Sequence, residues 1–180
     1  MFEDGAKCAE CHSTDAGPNG EPALLTDFTY DNIGVPANPE NPWYQQDAFN
    51  PDGRDWIDPG LGGFLATDLV YAPYAPAQIG KQKVPTLRNV DARHSPVTAK
   101  SYMHNGFFKT LEGVVRFYNT RDVWPRCAPD LRTEAQALAN KCWPAPEVAQ
   151  NVNTDELGNL ELTPADEAAL VAYLKTLTDE

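Results

Sequence analysis

Cys8-Ala9-Glu10-Cys11-His12 is the stretch on which the reading of this 180-residue chain turns. Two thiols three positions apart, with an imidazole directly after the second, make the attachment signature of a c-type haem. On one helical turn both thiols can reach the haem vinyl groups, and His12 then turns its imidazole onto the iron from the same side. Two other chemistries use paired cysteines. A structural zinc site takes four ligands, usually including a second Cys-x-x-Cys or His-x-His pair. Here the other thiols, Cys127 and Cys142, lie 15 positions apart, and only His94 and His104 remain as imidazoles. A thioredoxin-like dithiol belongs to a βαβ pattern that the flanking sequence lacks. The motif therefore predicts one haem c, covalent through Cys8 and Cys11, with His12 as its proximal iron ligand.

Outward from the motif, residues 2–12 are compatible with a short helix, Phe2 and Ala6 sharing a face with the cysteines. Residues 15–80 are dense in turn signals such as Gly17-Pro18-Asn19-Gly20, Asn50-Pro51-Asp52-Gly53 and Asp58-Pro59-Gly60. This stretch predicts short helical turns or a small hairpin, pinned to the core by Phe28, Tyr30, Trp43, Tyr44, Phe49, Trp56 and Phe64. Pro85 biases residues 83–89 towards extended backbone. Residues 110–119 read as a helix capped by Thr110, with Leu111, Val114, Val115 and Tyr118 on its apolar face. Residues 133–141 read as a second, capped by Thr133. The clearest helix follows Thr163 as cap, Pro164 at the first position and Asp166 at the third, with Leu170, Tyr173, Leu174 and Leu177 recurring at helical spacing. The expectation is a mainly α, cytochrome c-like domain spanning residues 1–180, with few helices and long Pro/Gly-rich loops.

Composition narrows the partners. No apolar run approaches the roughly 20 residues a membrane span needs. The net charge of −12 disfavours nucleic acid. It is unevenly spread: −11 over residues 1–80, +6 over 81–132 and −7 over 133–180, an asymmetry able to orient a charged partner. Cys127 and Cys142 are left as a pair whose disulfide would stabilise by about 3 kcal/mol in the chain-entropy account. That disulfide and haem attachment both point to an oxidising, extracytoplasmic compartment such as the periplasm. No signal peptide is visible, which fits a processed protein or a piece of a longer one.

The sixth iron ligand is open on the residues alone. Electron-transfer haems take Met or His there. Met103 is the only internal methionine, His104 is its neighbour, and Tyr118 lies one short helix later. Each also has an ordinary reading: a core gap-filler, a loop hydrogen bond, a packed tyrosine.

Three runs carry a resemblance: Lys83-Val84-Pro85-Thr86-Leu87-Arg88-Asn89, then Tyr102-Met103-His104-Asn105-Gly106, then Leu111-Glu112-Gly113-Val114-Val115-Arg116-Phe117-Tyr118. In that order they resemble the C-terminal haem domain of the bacterial di-haem cytochrome c peroxidase/MauG family. Thr26-Asp27-Phe28-Thr29-Tyr30-Asp31-Asn32-Ile33-Gly34-Val35-Pro36 is similar to that family's segment after the haem motif. The resemblance runs from Phe2 to Leu177. It implies a sixth ligand from the helix after the His-x-Gly turn, methionine in the peroxidases and tyrosine in the MauG branch. An ungapped match places Tyr118 there, with Met103 as the alternative just before His104. Tyrosinate favours ferric iron and a low potential, whereas methionine raises the potential. The resemblance also gives Arg88 a haem propionate as a bidentate partner. The family holds calcium between its two haem domains, partly through backbone carbonyls that match Ala99 and Ser101. This chain departs from the usual Thr and Pro there, which counts against calcium.

The chain has a single Cys-x-x-Cys-His motif, and the resemblance implies that the family's peroxidatic haem sits in its other domain; together these favour an electron-transfer module working with a redox partner protein, either stand-alone or as half of a di-haem enzyme. The alternative is peroxidase or oxidase chemistry within such an enzyme, with His104 as an acid–base group near the iron.

Overall fold

The computed structural model describes residues 1–92 and 100–179. The chain is mainly α. Helix α1 spans Gly60–Leu65, α2 Leu111–Thr120, α3 Glu134–Asn140 and α4 Pro164–Leu174. Strands β1 (Tyr30–Asp31) and β2 (Gln82–Lys83) pair antiparallel, Tyr30 opposite Lys83 and Asp31 opposite Gln82. They are distant in sequence, so this ladder ties down the ends of a long excursion and is not a hairpin. Between them run 3-10 turns at Pro42–Gln45, Gly53–Asp55 and Ala72–Gln78, the short helical turns that the Pro/Gly signals predict. Helix α1 packs on the last of these so closely that a Cβ at Gly62 would lie 2.5 Å from Ile79 N.

The three predicted caps form. Thr110 accepts from Gly113 N–H, and Thr133 and Thr163 each complete a capping box, with Gln136 and Asp166. The N-terminal helix does not form as expected. Only Cys8–Glu10 makes a 3-10 turn, and Lys7 sits in the left-handed region at φ 53°. Gly5 within so short a run lowers helix stability. The packing expected of that segment is nevertheless present. Phe2 and Ala6 enter an aliphatic cluster with Leu111, Val115, Leu170, Val171 and Leu174, and Phe2 lies 5.1 Å from the Tyr173 ring.

The other face of α2 enters an aromatic cluster of Phe107, Phe108, Phe117 and Trp143, joined by Val35 and Ala137. The predicted disulfide, Cys127–Cys142, closes beside it. Helices α2 and α4 are further linked by Arg116–Glu167 at 2.6 Å and Lys175–Glu112 at 2.9 Å. Not all of the aromatic anchors hold. Tyr44 is buried and Trp43 meets Trp56 edge-on, but Phe28, Tyr30, Phe49 and Phe64 point outward at 56%, 40%, 75% and 69% exposure. Turn chemistry in this stretch fixes the backbone through hydrogen bonds such as Asn50 Nδ2 to Trp43 O and Gly53 O, without drawing those rings inward. No helix among the described residues is long and apolar enough to cross a membrane.

Candidate haem site

A cavity of about 630 Å³ lies between the two clusters. Its size suits a cofactor rather than a water cluster. Cys8, Cys11, His12, Arg88, Met103, His104 and Tyr118 all line it, so the fold brings the whole predicted set together. Leu111, Val114 and Tyr118 reach it from α2 at three- and four-residue spacing, which is one helix face. Leu174 closes it from α4, and Val84, Pro85, Thr86 and Leu87 from the extended segment after β2.

Cys8 and Cys11 are free thiols. Burial pushes the Cys8 thiol up to about 11. Burial and then the carboxylates of Glu156, Asp31, Asp27 and Glu10 push Cys11 up to about 12. A redox-active dithiol shows the opposite shift, towards thiolate. His12 Nδ1 lies 2.9 Å from Leu25 O. A carbonyl only accepts, so Nδ1 carries the hydrogen and Nε2 is left with a lone pair, the tautomer that a metal ligand needs. Leu25 is buried at φ 51°, a strained conformation at a position that orients a functional ring. Burial lowers the His12 pKa and favours the neutral imidazole, against the hydrogen bond that the ring donates to Leu25 O, the charge of Asp27 and the Pro85 carbonyl.

The facing wall carries both candidates for the sixth position. Tyr118 has its pKa raised, first by burial and then by Cys8, Cys11 and Asp31. Its hydroxyl finds no hydrogen-bond partner among the described residues. Met103 sits at φ 68° in a turn closed by Gly106 N–H to Met103 O, and the bridge Tyr102–Phe108 holds the base of that turn. His104 Nε2 is 3.0 Å from Glu147. Arg88 lines the cavity while its guanidinium is held by Asp179, at 2.9 and 2.6 Å. Of the calcium pair, Ala99 lies outside the described residues. Ser101 lines the cavity and packs its side chain near Gly106.

Sequence reasoning missed Glu147, Asp31 and Glu156. Cys11, Asp31 and Glu156 place one ligand atom each within 4.8 Å of one another. Asn153 Nδ2 donates to both carboxylates at 2.6 Å, and Cys11 belongs to the haem motif. Asp31 stands inside a run already noted, but nothing in Pro144-Ala145-Pro146-Glu147 signals a buried carboxylate.

No protein-family model matches the chain. The methylamine utilization protein MauG of Paracoccus denitrificans is 36% identical over 173 residues, 96% of this chain and 39% of the relative. The cytochrome-c peroxidase IdrP1 of Denitromonas iodatirespirans is 33% identical over 130 residues, 66% of this chain and 29% of the relative. Among solved structures, the diheme peroxidase BthA of Burkholderia thailandensis superimposes with a TM-score of 0.66 at 28% identity, covering 99% of this chain and 41% of that one. The chain thus spans about two fifths or less of the length of the relatives it matches.

Proposed function

Because this chain belongs to the bacterial di-haem cytochrome c peroxidase/MauG family, we propose that it is a single cytochrome c-like domain, the C-terminal type in that family, which moves electrons through one covalent haem c. The observation that carries this reading is the convergence of Cys8, Cys11, His12, Met103 and Tyr118 on one mostly apolar cavity. The residues fit the group. Cys8 and Cys11 would hold it covalently, and His12 would ligate from one side with its tautomer set by Leu25. Tyr118 would supply the second protein ligand, with Met103 as the alternative. A haem there supplies one-electron chemistry at its iron. The chain's own residues would exclude water through Val84, Leu111, Val114 and Leu174, set the potential through the choice of Tyr118 or Met103 as ligand, and leave Lys83 and Pro85 exposed at the rim for a redox partner protein. The disulfide and the attachment motif support an extracytoplasmic, periplasmic site of action. Calcium is not part of the proposal.

Pyridine haemochrome analysis should give one haem c per chain, and the ferric near-infrared band should report oxygen rather than thioether ligation. Absence of covalent haem after denaturation would refute the reading. Peroxidase or oxidase chemistry within a di-haem enzyme is the second reading. It is favoured by His104, which lines the cavity with Glu147 behind it, an acid–base pair within reach of a small substrate. Rapid peroxide turnover with a high-spin ferric spectrum would select it. A six-coordinate low-spin spectrum that peroxide leaves unchanged would eliminate it.

A further inference from the structure

Glu147 belongs to no ligand set, yet it is tied to the cavity wall more heavily than the ligands are. Its side chain is 2% exposed. One carboxylate oxygen takes His104 Nε2 at 3.0 Å and Asn105 Nδ2 at 2.8 Å, and the other takes Asp58 N–H at 3.2 Å. Its own N–H donates to Val35 O at 2.9 Å. Asn105 carries the bond onward, donating to Pro36 O and accepting at its own carbonyl from Asn38 Nδ2. The residue before Glu147 is fixed in turn by the Pro36–Pro146 bridge, and the segment leading to it starts at fully buried Trp143, next to disulfide-bonded Cys142. A buried carboxylate is expensive unless it is paired and hydrogen-bonded. Here its bonds go to the turn that carries Met103 and His104, and that turn holds Met103 at a positive φ which the surroundings must enforce.

We propose that Glu147 is a positioning residue for the haem site: it sets the Met103–His104 turn against the cavity, and its fixed negative charge biases an iron held there towards the ferric state. This rests on the haem reading above. Outer-shell hydrogen bonds and local charge are the protein's means of tuning such a centre. Removing the charge raises the reduction potential. Moving the charge while keeping it disturbs the turn instead.

The test uses the haem-loaded chain, as wild type, Glu147→Gln and Glu147→Asp, with spectroelectrochemical titration, the ferric near-infrared and Soret circular dichroism bands, and thermal melting. Glu147→Gln should raise the reduced-to-oxidised ratio at a fixed poise about tenfold, equivalent to about 59 mV for one electron. Glu147→Asp should return most of that ratio while its Soret dichroism stays altered, because the shorter side chain draws His104 and Asn105 with it. Lower melting temperatures with wild-type potential and bands in both variants would reduce Glu147 to a structural role and overturn the proposal. A second measurement does not depend on haem. Amide hydrogen exchange over residues 101–106, measured on the chain in whatever haem state the wild type is isolated, should accelerate in Glu147→Gln and not in α4. Unchanged exchange there overturns the proposal, whereas failure of the wild type to bind haem counts against the function and leaves this readout standing.

Discussion

The two walls of the cavity are built by different means. Cys8 and Ala9 lean on an aliphatic cluster of Leu111, Val115, Leu170, Val171 and Leu174. Met103 and Tyr118 lean on interlocked rings, with Phe117 edge-on to Trp143 at 5.1 Å and Trp124 stacked on Trp143 at 5.4 Å. The motif wall is held by backbone bonds such as Cys8 N–H to Phe2 O and contains half-buried free thiols. The facing wall has a disulfide, a buried carboxylate and a satisfied indole, Trp143 Nε1 to Thr120 Oγ1 at 3.1 Å. The difference has a physical sense. Under the proposed haem reading, two thioether bonds would rigidify the motif wall, so the chain need not do so alone. The facing wall gains no such bonds and must be preorganised by its own packing.

The strongest way to break this contrast is to deny the motif wall its covalent bonds. Replacing both Cys8 and Cys11 by Ser should take covalent haem from one per chain to none, read by haem staining after denaturation. It should also leave residues 2–12 exchanging amide hydrogens faster than in the haem-bearing wild type, while the aromatic wall stays protected. Equal exchange in the two forms would show that the chain alone already orders that wall. Next in size is Trp143→Ala. The indole is fully buried and removing it costs about 3–5 kcal/mol by the usual range for large aromatics, measured by chemical denaturation. The loss should appear whether or not haem is bound, because this wall is stabilised by protein contacts.

Removing the Cys127–Cys142 bond by paired Ser substitution comes third. The 15-residue separation gives about 3 kcal/mol from loop-closure entropy. The comparison is sharpened by asking where the loss is felt. Melting should fall in both haem-loaded and haem-free forms, while haem content stays at one per chain. Loss of haem with the disulfide would mean that the two walls are coupled more tightly than their separate clusters suggest.

Much of this was legible in the sequence, and unevenly so. The motif, the disulfide pair and helices α2, α3 and α4 follow from local signals: spacing, Thr caps, Pro164 at the first position of α4, periodic apolar residues. Each is decided within a few residues, so tertiary context had little to override. The N-terminal helix failed because Phe2 and Ala6 satisfy their burial through a turn as well as through a helix, and Lys7 breaks the run at φ 53°. The outward turn of Phe28, Phe49 and Phe64 depends on which face of each turn meets the core, and a list of aromatics does not contain that. Glu147 was invisible for the same reason. Its partners lie at Asp58, His104 and Asn105, and only the assembled fold brings them to it.

The smallest effect falls on two helix caps with the same chemistry in different surroundings. Thr163→Ala removes an acceptor for Asp166 N–H at the start of α4, in the aliphatic half, and should cost about 1 kcal/mol near neutral pH. Thr133→Ala makes the same change at α3, a seven-residue helix followed closely by the disulfide at Cys142, and should cost nearer about 0.5 kcal/mol because the covalent tie limits fraying. The pH dependence separates them further. Hydrogen bonds from the Thr163 side chain and backbone hold the Asp166 carboxyl below its ordinary value of 3.8. A carboxyl depressed in the folded state stabilises above that ordinary value, and the contribution is lost as pH falls through the folded value. Thr163→Ala removes the hydroxyl donor, so its gap from wild type should narrow as pH drops below 3.8, whereas the Thr133→Ala gap should stay flat, since Gln136 in its capping box does not titrate. Denaturant melts of both variants at pH 7 and pH 3 decide this. Parallel narrowing in the two would mean that acid weakens the whole fold rather than the α4 cap.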